Sequence, residues 1–152
     1  MKKPMNDEKL NFSQWNPSSA APFIKQREGL RLKAYQCSAQ KWTIGYGHTR
    51  GVHEKMTIDL KTADKYLLDD IQNVVEELAP YVTAKVTQGQ FIALVSLAFN
   101  VGVPAVARSR TLQYLNAGQL EKAKAGFLTF NKVNGVQNTG LTNRRRLEVA
   151  LM

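Results

Sequence analysis

Three side chains able to take part in proton and water chemistry lie close together in the chain. Glu28 is followed by Cys37, the only cysteine, and then by Thr43, and the stretch closes with Gly45, Gly47 and His48. A carboxylic acid in a cleft can donate a proton to a leaving oxygen. A thiol and a hydroxyl across from it can hold a water molecule or a polar substrate group. Each residue also has a plainer reading. A glutamate at a helix end is ordinarily solvated. A lone cysteine is more often a small buried apolar residue than a nucleophile. Thr43 suits a strand, and His48 suits a hydrogen-bonded structural role. His53 is not at metal-ligand spacing from His48, so no metal site is expected. Gly45-Tyr46-Gly47 has neither the third glycine nor the following helix of a dinucleotide loop, so no cofactor is expected either.

These residues need elements to position them. Ser18 or Ser19 is placed to cap a short helix with Pro22 in its first turn and Ala20, Phe23, Ile24 and Leu30 as its apolar positions. Glu28 falls at the end of that helix, beside Gly29. The negative end of the helix dipole lies there, which suits a general acid. Residues 31–35, 41–46 and 52–57 are rich in strand formers and predict a small three-stranded antiparallel sheet. A long helix then runs from Asp59 or Thr62 to Ala79, with Ala63, Leu67, Ile71, Val74 and Leu78 on one stripe and Pro80 as its stop. Thr87 and Gln90 match a capping box. Residues 91–99 behind it are apolar nearly all round, the mark of a central buried helix. Shorter helices are expected around residues 109–115 and 120–130, then a polar loop over 131–139. A last helix follows, capped by Thr142 and carrying Arg144, Arg145 and Arg146 on what is ordinarily a solvated face. Residues 1–17 read as a polar tail with Phe12 and Trp15 as docking points. Strands and helices are segregated, which is the α+β class. The expected division is a tail (1–17), an N-terminal lobe (18–60), a connecting helix (61–80) and a helical C-terminal lobe (81–152), with residues 18–152 forming one domain.

Composition narrows the partners. Lys and Arg total 21 against 12 acids, a net charge of +9 over 152 residues. That balance suits an anionic partner: a cell wall, a nucleic acid or a membrane surface. The charge is uneven, with basic residues in excess before residue 57 and after residue 100 and acids in excess between them. One continuous basic face is therefore not indicated. A chain of this length buries roughly 68–70% of its unfolded surface and needs no disulfide staple. A single cysteine allows none within the chain. No stretch approaches the roughly 20 apolar residues of a membrane span, so stable membrane insertion is not expected. The two lysines at the start have no apolar run behind them, so a secretory signal is not expected. A monomer is the default expectation, because no apolar surface stripe is evident.

Together the residues resemble the phage-type lysozymes, the endolysins of glycoside hydrolase family 24, over nearly the whole chain after residue 20. The strongest part is Glu28-Gly-Leu-Arg-Leu-Lys-Ala-Tyr35 followed by Trp42-Thr-Ile-Gly-Tyr-Gly-His-Thr49. In this family an acid, an Asp or Cys after eight intervening residues and a Thr after five more form the catalytic triad. Glu28, Cys37 and Thr43 stand at that spacing. Ala93-Leu-Val-Ser-Leu-Ala-Phe-Asn-Val-Gly102 resembles the family's central helix, and Phe99 and Asn100 match positions lining its cleft. Gly140-Leu-Thr-Asn-Arg-Arg-Arg-Leu-Glu148 resembles its last helix, where Arg144 matches the arginine that pairs with the catalytic glutamate.

The resemblance implies a lysozyme-like fold. It also implies hydrolysis of the β-1,4 bond between N-acetylmuramic acid and N-acetylglucosamine in bacterial peptidoglycan, for host-cell lysis by a phage or prophage. Glu28 would protonate the glycosidic oxygen, water would attack from the other face, and Thr43 would help hold that water. Arg144 would support Glu28, Asn100 and Phe99 would contact substrate, and His48 would be structural, bonded to an acid on the long helix. The protein would wait in the host cytoplasm until released to the wall. Cys37 departs from the Asp of many relatives: a thiol near its usual pKa of about 8.5 is mostly neutral at pH 7. That keeps open a catalytically weak or inactive wall-binding module. A lytic transglycosylase, closing a 1,6-anhydro ring without water, is the nearest enzyme alternative. A nucleic-acid binder rests on charge alone and is not expected.

Overall fold

The computed structural model describes residues 8–152. Seven helices are described: α1 (Ala21–Arg27), α2 (Leu60–Leu78), α3 (Gln88–Val101), α4 (Val103–Ala107), α5 (Arg110–Asn116), α6 (Leu120–Leu128) and α7 (Thr139–Ala150). Short antiparallel strands pair as β1 (Lys9–Leu10) with β4 (Val86–Thr87), β2 (Arg31–Gln36) with β3 (Trp42–Gly45), and β5 (Lys132–Val133) with β6 (Val136–Gln137). The class is α+β, as the sequence predicts. The N-terminal sheet is smaller than the sequence predicts. Only β2 and β3 form a ladder, and the third segment is reduced to a bridge between Lys33 and Thr57. Residues 49–55 are turn and bend, with Gly51 and Lys55 at positive φ, and so offer no extended run to pair.

Helix α2 starts at an Asp59 cap, whose carboxylate accepts from the Thr62 N–H at 2.8 Å. It buries Ala63, Leu67, Ile71, Val75 and Leu78, at spacings of 4, 4, 4 and 3; Val75 takes the place predicted for Val74, which is half-buried. Thr87 and Gln90 form the capping box at the start of α3, and eight consecutive-turn residues of α3, from Gln90 to Ala98, are buried. The core is built around α3 from α2, α5 and α6.

Several other expectations need correction. The first helix is preceded by a 3-10 turn over Pro17–Ala20 capped by Asn16, not by Ser18 or Ser19, and Leu30 lies beyond α1 and is exposed. Within the expected tail, Phe12 and Trp15 dock as the sequence predicts and tie residues 9–15 to the core. Phe12 is 1% exposed and packs on Phe91 at 4.9 Å, and Trp15 donates its indole N–H to the Val86 carbonyl at 2.9 Å. Two large aromatics in a polar setting gain more by burial than the short strand costs to order. For residues 1–7 the tail expectation lies outside the described residues. The loop predicted at 131–139 contains the β5–β6 hairpin, turned by Asn134 and Gly135, both at positive φ. Helix α7 starts earlier than predicted and is capped by Asn138, not Thr142. Its arginines are not a solvated face: Arg144 is 8% exposed and Arg145 is fully buried.

Both ends of the described chain reach the start of α3. β1 pairs with β4 immediately before it, and Gln90 Nε2 donates to the Met152 carbonyl at 3.4 Å.

Candidate active site

Glu28 is the residue after α1, with extended φ and ψ of −96° and 143°, so the chain turns there from helix into β2. Gly29 follows, and the turn leaves the carboxylate 21% exposed between α1 and β2. Gly47 lies opposite at φ +89°, a conformation that favours glycine.

A cleft of about 370 Å³ is lined by Glu28, Cys37, Thr43, Gly47, Phe99 and Asn100, among others. The structure thus brings five sequence-predicted residues to one concavity. Hairpin β2–β3 supplies Cys37 and Thr43, and the last turn of α3 supplies Phe99 and Asn100. A second hollow of about 430 Å³, floored by α7, shares Glu28 and Asn100 and adds Arg27, Asn138, Asn143 and Arg144. Glu28 therefore stands where two hollows meet.

Arg144 approaches Glu28 from α7: Nη1 donates to Oε2 at 2.6 Å. Its other nitrogens are also engaged. Nη2 donates to the Ser96 carbonyl at 3.2 Å, and Nε faces Glu148 Oε2 at 3.4 Å. Glu148 and Ser96 are fully buried, and the Ser96 hydroxyl donates to Glu148 at 2.5 Å. Burial pulls Arg145 below the usual arginine range, while Glu148, with Oε1 2.6 Å from Arg145 Nε, opposes that shift. Sequence reading missed Ser96 and Glu148. The signals were a serine inside an otherwise apolar helix, and a glutamate four residues after Arg144 and three after Arg145 on one helix.

Cys37 begins a tight turn in which Gln40 N–H donates to its carbonyl at 2.8 Å, with Gln40 at φ +60°. The backbone N–H groups of Lys41 and Ala39 in this turn, and then the neighbouring Thr43 hydroxyl, hold the thiol below its usual pKa. Thr43 is buried, and its hydroxyl donates to the Lys41 carbonyl at 3.0 Å.

His48 is not in the cleft lining. Its Nδ1 lies 2.8 Å from Asp70 Oδ2 on α2, and its ring stacks on Tyr66 at 4.2 Å. Burial pushes the Asp70 carboxyl up, and the bond to His48 works against it. Among the described residues no three His, Cys, Asp or Glu side chains gather as a metal ion would need. No helix among them is long and apolar enough to cross a membrane.

Comparison with known proteins places this geometry. A family model described as phage lysozyme matches residues 25–148. The endolysin of Bacillus phage B103 is 46% identical over 145 residues, which cover 93% of this chain and 54% of that protein; the chain therefore spans about half the length of that relative. The endolysin of Acyrthosiphon pisum secondary endosymbiont phage 1 is 42% identical over 84% of this chain and 90% of its own. Among solved structures, the muramidase domain of SpmX from Asticaccaulis excentricus superposes with a TM-score of 0.82 at 34% identity, covering 88% of this chain and 93% of that one.

Proposed function

The chain belongs to the phage lysozyme family, glycoside hydrolases of bacterial lysis, and on that premise we propose that it is an N-acetylmuramidase. It cleaves the β-1,4 bond between N-acetylmuramic acid and N-acetylglucosamine in peptidoglycan. The observation that carries this reading is the Glu28 carboxylate held by Arg144 at 2.6 Å in the cleft that also holds Cys37 and Thr43.

Glu28 protonates the glycosidic oxygen as the bond breaks toward an oxocarbenium-like transition state. Arg144 fixes the direction of the carboxyl group. Water enters from the opposite face of the sugar, held by the Thr43 hydroxyl and by Cys37. The backbone N–H groups of Lys41 and Ala39 lower the pKa of Cys37, in the place where many relatives carry an aspartate. Asn100 and Phe99 contact the saccharide, one by its amide and the other as an apolar platform. His48 acts structurally, through Asp70. The net charge of +9 attracts the domain to an anionic wall. The protein acts as a monomer on peptidoglycan after release from the host cytoplasm, and nucleic acid is not its partner. The likeness to the muramidase domain of SpmX supports this choice of bond.

Digestion of purified peptidoglycan by this chain and by Glu28→Gln, with products identified by mass spectrometry, tests the reading. Hydrated muramic reducing ends from the parent, and none from the folded variant, are expected. Anhydro ends would move the assignment to a lytic transglycosylase. No products from a folded parent would leave a wall-binding module.

A further inference from the structure

We propose that Ser96 and Glu148 are positioning residues that aim Glu28 through Arg144; this rests on the general-acid reading of Glu28. Glu28 lies just past α1, in extended backbone, so its own helix does not fix its side chain. Among the described residues, the hydrogen bond its carboxylate accepts comes from Arg144. The direction of the acid is therefore set by whatever sets Arg144.

That is a buried network. Arg144 Nη2 reaches the Ser96 carbonyl at 3.2 Å and the Ser96 Oγ at 3.3 Å, and Nε faces Glu148 Oε2 at 3.4 Å. Oε2 of Glu148 also accepts from Ser96 Oγ at 2.5 Å and from Arg145 Nη2 at 2.8 Å. Arg145 is anchored in turn to the Phe130 carbonyl at 3.3 Å. Two guanidinium groups thus face two carboxylates, Glu28 and Glu148. Ser96, Arg145 and Glu148 are fully buried, so no water shell competes with these contacts.

Such a network is a costly way to stabilise a core, since apolar residues of similar volume often do as well or better. Its value lies in geometry. Two nitrogens of the Arg144 guanidinium, Nη2 and Nε, are held by Ser96 and Glu148, and the third, Nη1, points at Glu28 in the cleft. A shift of about 1 Å in a reacting group can cost on the order of a hundredfold in rate. Loss of the Glu148 charge leaves two buried guanidiniums with one carboxylate between them, and loss of the Ser96 hydroxyl removes the link between Glu148 and α3.

The test compares Glu148→Gln, Ser96→Ala, Arg144→Lys and the double variant Glu148→Gln/Arg144→Lys, each checked for folding by circular dichroism and thermal melting. Turnover is measured on soluble glycan fragments of peptidoglycan. Glu148→Gln and Ser96→Ala are expected to lower kcat by about tenfold to a hundredfold, with KM changed less than about twofold. The double variant is expected to be no slower than Arg144→Lys alone, because Glu148 acts only through Arg144. Exchange of the Arg144 side-chain N–H protons, followed by NMR, is expected to be slow in the parent and fast in Glu148→Gln and Ser96→Ala. Full kcat in a folded Glu148→Gln or Ser96→Ala variant, additive losses in the double variant, or unchanged exchange would each overturn the proposal. If Glu148→Gln fails to fold, Ser96→Ala decides. An inactive parent would remove the functional reading, and the exchange measurement would still decide the positioning.

Discussion

Nδ1 of His48 and Oδ2 of Asp70 lie 2.8 Å apart, joining the end of the β2–β3 region to the middle of the long helix α2. Burial raises the Asp70 carboxyl above its usual 3.8, so the folded state binds its proton more tightly than the unfolded chain does. Stability from this group is therefore full below 3.8 and is lost as pH rises through the higher folded value. Urea midpoints measured from pH 3 upward should show the parent losing stability relative to Asp70→Asn as pH rises above 3.8. A gap that stays constant, or that moves in the parent's favour, would contradict the assigned direction.

Cys37 shifts the other way. Donors aimed at its sulfur hold its pKa below the usual 9.0, so the folded protein keeps a thiolate at lower pH than the unfolded chain. The rate of iodoacetamide alkylation against pH should have its midpoint lower in the native protein than in urea. Complete alkylation, verified by mass, should impair lysis, and Cys37→Asp should retain it. Undiminished lysis after full alkylation would remove Cys37 from the mechanism.

Gly47 holds φ +89°, and a Cβ there would come within 3.5 Å of Glu28 Oε1. Gly47→Ala should lose about 1–2 kcal/mol of stability from backbone strain alone. It should also slow turnover, since the methyl group enters the cleft beside the acid. Chemical denaturation and peptidoglycan turnover measured on the same preparation separate the two effects. Parent-like turnover would show that the cleft has room to spare at this wall.

Phe12 is expected to matter as a core residue. It is 1% exposed and packs against Phe91. Phe12→Ala should cost about 3–5 kcal/mol in thermal or urea unfolding. A loss below about 1 kcal/mol would mean that residues 9–15 are dispensable to the fold, as their composition implied.

The parts of this fold legible in the sequence are those set by local chemistry. Asp59, with the apolar stripe behind it, announced α2, and Thr87 with Gln90 announced α3. Gly29 marked the helix end that leaves Glu28 just beyond α1. What stayed hidden depends on distant partners. Phe12 and Trp15 stood out as docking points, but the far Phe91 and Val86 on which they dock did not. Arg145 looks solvated until Glu148 is seen beneath it. The third strand was overestimated because β propensity in 52–57 is outweighed by the turns around Gly51 and Lys55. At the site, the cleft residues were reached through spacing and family resemblance, whereas the polar support behind Arg144 was not.

The meeting of β1 and the Met152 carbonyl at the first turn of α3 gives the molecule a handle and a working end. Phe99 and Asn100 lie about ten residues further along the same rod, on the order of 15 Å away at 1.5 Å per residue. A binding module attached ahead of residue 8 or after Met152 would leave the described fold from this one corner, away from Glu28. For the same reason a short linker from Met152 to residue 8, with new ends opened in an exposed turn, is a reasonable route to a circularly permuted enzyme.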